Sequence, residues 1–160
     1  MATTTANQPF VADAIAIMAK TGKGQPPRAE RLDIMVEGEP EVQERPRMSN
    51  LGHVHMYDPS SKLKGKYRWA VLKALKGLQL GTYPVFSGEL SEVRITVVFH
   101  VNNMLKDVDN LLKFVLDALE TIVYANDRTV LQIVADKHYS PGHGFTTIAV
   151  EVMHPVHNIE

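Results

Sequence analysis

No cysteine occurs in the 160 residues, which removes disulfides, thiolate zinc sites and cysteine nucleophiles and suits a reducing compartment. No apolar run approaches the roughly 20 residues of a membrane helix. The N-terminus has no basic region followed by a hydrophobic stretch of the secretory kind. A soluble cytoplasmic protein without a membrane partner is therefore expected. A P-loop, a GxSxG elbow and internal repeats are also missing, so the usual sequence marks of NTPases, serine hydrolases and solenoids are absent. Basic excess is lacking as well: 17 Lys and Arg face 18 Asp and Glu, a net charge of −1. At first sight this argues against a nucleic-acid protein.

The distribution of charge reverses that argument. Between Gln43 and Lys76 stand Arg45, Arg47, Lys62, Lys64, Lys66, Arg68, Lys73 and Lys76, against only Glu44 and Asp58. From Asp107 onward acids dominate. A basic surface beside an acidic site attracts phosphates without quenching carboxylates that could hold a metal. The competing reading of the lysines is a solvated helix face. With 44% hydrophobic residues, the chain can bury one ordinary core.

Residues 1–30 read as a flexible extension in which Phe10, Val11, Ala14, Ile15 and Met18 have the spacing of a short amphipathic helix. Leu32 to Val36 reads as a first strand, stopped by Gly38 and Pro40. Arginine forks suit phosphate oxygens and Pro46 stiffens the backbone between Arg45 and Arg47, so that loop is expected to touch DNA backbone. His53 and His55, two apart on a short strand, are expected to be ordinary strand residues rather than ligands. Asp58-Pro59-Ser60-Ser61 starts a helix that Gly77 stops, with lysines outward and Trp69 expected to pack in the core or an interface. Leu90 to Val101 reads as a long strand. Thr129 to Tyr139 and Phe145 to Met153 read as a hairpin across a Pro-Gly loop, and residues 154–160, with His154 and His157, as a tail.

The chemistry concentrates between these strands. Asp107 and Asp109 follow the strand at a spacing that places both carboxylates on one side if the backbone stays extended. Asn110 to Val123 is too apolar and too long for a strand and reads as a helix, N-capped by Asp109 or Asn110. Asp127 returns at the next turn, so three carboxylates are expected to meet at one end of a sheet. Crowded hard oxygen donors favour Mg²⁺, with Mn²⁺ as substitute. Against this stands a structural alternative: acids near a helix start interact favourably with its dipole, and Lys113 with Asp117 forms an i,i+4 pair.

The pattern Asp107, Asp109, Asn110, Leu111, Lys113, Asp117 and Leu119, followed by Asp127, resembles the RusA family of Holliday-junction endonucleases. Upstream, Gly38-Glu39-Pro40, Arg45-Pro46-Arg47 and Val54 to Pro59 resemble the same family, so the likeness covers about Leu32 to Val152. It implies a single α+β domain, residues 31–153, with a mixed sheet and about two main helices. It also implies metal-binding acids at Asp107, Asp109 and Asp127, a catalytic lysine at Lys113 and a basic residue at Lys137. With Arg45, Arg47, Lys62, Lys64, Lys66 and Lys106, Lys137 completes the expected DNA contacts. The implied activity is Mg²⁺-dependent resolution of four-way DNA junctions by paired symmetric nicks, by a homodimer, in recombination and repair, with a phage or prophage setting suggested. Asn126 stands where the family commonly has a second aspartate. That departure motivates the alternative of a DNA-binding or assembly protein that keeps the fold without cutting.

Overall fold

The structure, a computed structural model, describes residues 9–19, 23–24, 28–49, 52, 55–88 and 92–153. Among the described residues, seven strands and two helices follow one another as β1 (Val11–Met18), β2 (Ala29–Glu37), β3 (Arg47–Ser49), β4 (His55–Tyr57), α1 (Ser61–Lys76), β5 (Val93–Val101), α2 (Val108–Leu119), β6 (Val130–Tyr139) and β7 (Phe145–Val152). A short 3₁₀ turn, Asp127–Thr129, precedes β6. The main sheet has the order β1-β2-β7-β5-β6, and β3 pairs with β4 in a small separate ribbon. Among the described strands of this sheet, only β5 and β6 pair in parallel. This is the expected α+β domain with a mixed sheet and two main helices.

Alternation explains the layers. In β5, Val93, Ile95, Val97, Phe99 and Val101 are buried, while Arg94, Thr96, Val98 and His100 between them lie on the opposite face. In β2, Leu32, Ile34 and Val36 join the core, as do Ile148 and Val150 of β7. Both helices cover this face. Tyr67, Val71 and Leu75 of α1 and Leu111, Phe114, Val115 and Leu119 of α2 complete the core. Tyr67 and Phe114 meet edge-on with ring centroids 5.6 Å apart, in the geometry aromatic quadrupoles prefer.

Two expectations about connectivity are corrected. Residues 11–18 form a strand rather than a helix, paired to β2 from Val11↔Glu37 to Met18↔Ala29. The relevant period is two: Ala12, Ala14 and Ala16 turn toward the core, and Val11, Asp13, Ile15 and Ile17 turn away. Alanines satisfy either period, so the larger residues misled the helical reading. Their small side chains also let α1 lie close over β1. Likewise β6 and β7 are not a hairpin. β5 lies between them, parallel to β6 and antiparallel to β7, so the 140–144 loop crosses the end of β5. α1 keeps its expected limits, whereas α2 begins at Val108 rather than Asn110 and ends at Leu119 rather than Val123. Gly38 has φ of +125°, and a Cβ there would strike the Pro9 carbonyl, which fixes glycine at the turn after β2.

Candidate active site and DNA-contact surface

The acidic motif follows the carboxyl end of β5 through a tightly tied loop. The Asn102 amide donates to both Glu39 carboxylate oxygens, at 3.0 and 3.2 Å. Lys106 Nζ reaches Glu39 Oε1 at 3.1 Å and the Pro40 carbonyl at 2.6 Å. From β6, Lys137 Nζ donates to the carbonyls of Met104 at 2.7 Å and Lys106 at 2.6 Å. Lys106 and Lys137, expected to contact DNA, are thus tied to the 102–106 loop and to the Gly38-Glu39-Pro40 turn. Glu39 was missed as a site-supporting residue. Its signal lay in that motif, and a Cβ on Gly144 would collide with it. Nearby Glu41 has its carboxyl pushed above the ordinary range by burial; Lys106 opposes the shift, while Glu39 and Glu44 add to it.

Asp107 takes the N-cap position of α2 with φ −73° and ψ 133°, yet its side chain makes no capping hydrogen bond. Its carboxylate is not consumed by the helix, and both Asp107 and Asp109 are exposed. Asp109, Lys113 and Asp117 follow at intervals of four on one face of α2. Lys113 is exposed, with Nζ 3.3 Å from Asp117. Lys64, expected to bind DNA, is instead largely buried between Asp58 at 2.7 Å and Asp117 at 3.5 Å. Burial alone would raise the Asp58 carboxyl, but Lys64, the Ser60 amide and Gln43 outweigh it and hold the group below its usual range.

Asp127 stands apart from the other two acids. β5 and β6 are parallel, with Val93 beside Val130 and Val101 beside Tyr139. Asp107 follows the end of β5, whereas Asp127 precedes the start of β6. The length of α2 lies between them, about 15 Å from Asp109 to the helix end at 1.5 Å per residue. One chain therefore does not bring the three carboxylates together as expected. Consistent with this, no group of three His, Asp or Glu able to hold a metal is found among the described residues. Asn126 has a definite role: its Oδ1 accepts from the Arg128 amide at 3.0 Å and caps the 3₁₀ turn. That is chemistry an aspartate could also perform.

A model of the endodeoxyribonuclease RusA family matches residues 37–152. The chain belongs to the RusA family. A comparison with curated proteins finds no match. Membership in the RusA family implies nuclease activity of the Holliday-junction-resolving kind. No helix among the described residues is long and apolar enough to cross a membrane.

The RusA match begins at the end of β2, and its basic segment divides in two. Arg45 and Arg47 are exposed, Arg47 paired with Glu44 at 2.8 Å. Their loop is pinned beside the acidic pair, because the Gln43 amide donates to the Asn110 carbonyl at 3.0 Å. On α1, Lys62, Lys66, Trp69, Lys73 and Lys76 are all exposed and follow at steps of four, three, four and three residues, so they form a single stripe. Trp69 is 52% exposed, so of the two placements expected of it the core is excluded, and Lys76 Nζ stands 5.4 Å from its ring centroid. Arg68 leaves this stripe and donates to the carbonyls of Ala118 at 3.0 Å and Glu120 at 2.6 Å, closing the carboxyl end of α2. Both helices run the same way, so the stripe starts near the acidic pair. His55 lies on β4; His53, His154 and His157 fall outside the described residues.

Proposed function

We propose that this RusA-family protein is a Mg²⁺-dependent endonuclease that resolves four-way DNA junctions as a homodimer, in recombination and repair within the cytoplasm. The observation that carries the reading is the acidic pair itself. Asp107 and Asp109 are two exposed hard-oxygen donors at the start of α2, delivered there by a loop after β5 that is braced by Glu39, Lys106 and Lys137. Such donors suit Mg²⁺ or Mn²⁺, and Asp127, distant from them within one chain, would complete the set from the second copy of the homodimer. A bound ion would supply an activated water and offset charge on the phosphate. Lys113, one turn beyond Asp109, would stabilise the charge that builds on the phosphate oxygens as water adds and the bridging P–O bond breaks.

Around the acids, Arg45 and Arg47 would grip backbone phosphates beside the site. The α1 stripe, through Lys62, Lys66, Lys73 and Lys76, would extend the grip over about 21 Å at 1.5 Å per residue. Trp69 in its middle would stack on an unpaired base or pack on sugar. The test is to incubate the protein with a synthetic four-way junction beside linear duplex, with Mg²⁺ and with excess chelator. Two symmetric nicks in the junction alone, abolished by chelator, are expected. Cleavage that survives chelator removes the metal, and equal cutting of linear duplex removes the junction selectivity.

A further inference from the structure

β1 is the strand that the family match does not include, since it and nearly all of β2 precede residue 37. It is an outer strand, unpaired on its far side among the described residues. The strand is firmly held. Phe10 at its start is buried against Tyr67, with ring centroids 5.0 Å apart, and beyond its end the Ala19 amide donates to the Arg28 carbonyl at 2.7 Å. Every second residue of β1 therefore offers its N–H and C=O outward from a fixed backbone. Edge strands that stay bare are guarded by lysine, proline or a bulge. β1 contains neither lysine nor proline, Asp13 is its single charge, and its pairing with β2 is regular as far as Ile17. On the open face of the sheet Val11, Ile15 and Ile17 are 57%, 68% and 51% exposed. An unguarded apolar edge of this kind takes up another strand.

The helix above it says what that strand carries. α1 packs over β1, and α2 lies beside α1 on the side toward β6. Lys64 and Arg68 of α1 meet α2, while Tyr67, Val71 and Leu75 face the core. At about 100° per residue, Lys66 and Lys73 fall on the flank turned away from α2, with Lys62 next to them. That flank overhangs the free edge of β1. All three lysines are exposed, and none is in an ion pair among the described residues. A strand added roughly 5 Å beyond β1 sends alternate side chains to opposite faces. One set stands beside Val11, Ile15 and Ile17, where apolar residues pair best. The other set rises toward the lysines, where carboxylates are favoured.

A second copy of the chain does not meet these terms. Pairing β1 with β1 about a two-fold axis normal to the sheet puts both α1 helices on one face. Lys66 and Lys73 of each copy then face those of the other, and like charges repel. Toward those lysines β1 itself offers only Ala12, Ala14 and Ala16.

We propose that the free edge of β1 is a docking site for an extended segment of a partner protein in which apolar and acidic residues alternate, bound by strand addition with its acids under Lys62, Lys66 and Lys73. The site goes beyond the nuclease reading and stands whether or not the chain cuts DNA. DNA lying along the α1 stripe would use the same lysines, so the two ligands exclude one another there.

The test is a phage-displayed library of random peptides, eight residues long to match β1, selected against the full chain without DNA. Peptides alternating apolar residues with Asp or Glu should be enriched. The best of these, synthesised with a fluorescent label and titrated by anisotropy, should bind Lys66→Glu/Lys73→Glu about tenfold more weakly, two exposed ion pairs having been exchanged for repulsion. Selection against that variant, whose fold a melting curve checks, should turn to Lys and Arg at the same positions. The bound peptide should slow hydrogen exchange at the amides of β1 and leave those of β6 unchanged. A selection that enriches nothing, enriched peptides without alternation, a charge preference that survives the reversal, or protection located elsewhere would overturn the proposal. If the free chain sediments as assemblies larger than a dimer that Ile15→Lys breaks, the occupant is a second copy and the proposal fails.

Discussion

Lys137 offers the sharpest contrast between a residue that touches DNA and one that shapes the site. Its ammonium donates to the carbonyls of Met104 and Lys106 at 2.7 and 2.6 Å, and Asp107 is the next residue along. Lys137→Met keeps the aliphatic stem and removes both bonds. Hydrogen bonds from a charged donor contribute about 1.5 to 3 kcal/mol each when shielded. One of these is exposed and the other partly buried, so a combined loss of about 2 kcal/mol is reasonable after discounting for solvent. If only the closed loop presents Asp107 productively, that loss lowers the saturated cleavage rate by up to about thirtyfold, at tenfold per 1.4 kcal/mol. Single-turnover cleavage on a labelled junction measures the rate, and gel-shift titrations at several salt concentrations measure binding. Junction affinity and its salt dependence should stay near wild type, and the melting temperature should fall by no more than the roughly 4 to 8 °C that about 2 kcal/mol allows. If affinity falls, the salt slope drops by about the 0.9 expected per lost phosphate contact and the saturated rate is unchanged, then Lys137 binds DNA and the loop argument is wrong.

The other expectations are more compact. Trp69 is the only tryptophan, so fluorescence quenching by an oligo(dT) single strand reports directly on the α1 stripe; Trp69→Ala should weaken single-strand binding by about 1 to 3 kcal/mol, and unquenched fluorescence in a bound complex would remove the stacking role. Lys64→Ala leaves Asp58 and Asp117 facing each other without their shared cation, and thermal melts should show destabilisation well beyond that of the exposed Lys62→Ala; equal melts would contradict the buried network. Burial, reinforced by His138 and His143, holds His100 below the ordinary value of 6.5. The unfolded chain therefore takes up the proton first as pH falls, and stability that is complete above about 6.5 declines as pH drops through the lower folded value. His143 pairs with Glu37 at 2.6 Å, and Phe145 stacks on His100 with centroids 3.9 Å apart. His100→Phe should flatten the stability profile between neutral and mildly acidic pH, and an unchanged profile would assign the acid sensitivity elsewhere.

The residues that were legible in the sequence are those whose pattern is local. β5, α2 and α1 declared themselves through period two or period 3.6 over a full element, and the acidic motif through its spacing. What the sequence could not show was relative position. Ala12, Ala14 and Ala16 fit a helix or a strand equally, and only the partner strand β2 decides between them. The order of β5, β6 and β7 depends on which strand pays least to lie in the middle: β5 and β7 alternate buried residues cleanly, while β6 carries Gln132, Asp136, Lys137 and His138 and suits an edge. From that order follows the separation of Asp127 from Asp107. The lysines divide on the same principle. Lys62, Lys66, Lys73 and Lys76 share the outward stripe, but Lys64 falls on the flank facing Asp117, a distinction of about 100° per residue that a count of basic residues does not contain.

The most direct measurement of the central claim sets wild type beside Asp109→Asn on one four-way junction, with cleavage, gel-shift and melting recorded on the same preparations. Asparagine keeps the shape of the side chain and removes the charge a divalent ion requires. The account predicts an unchanged melt, junction binding retained or tightened because one negative charge near the phosphate has gone, and cleavage reduced by orders of magnitude. An Asp109→Asn protein that folds, binds and cuts at the wild-type rate would contradict it.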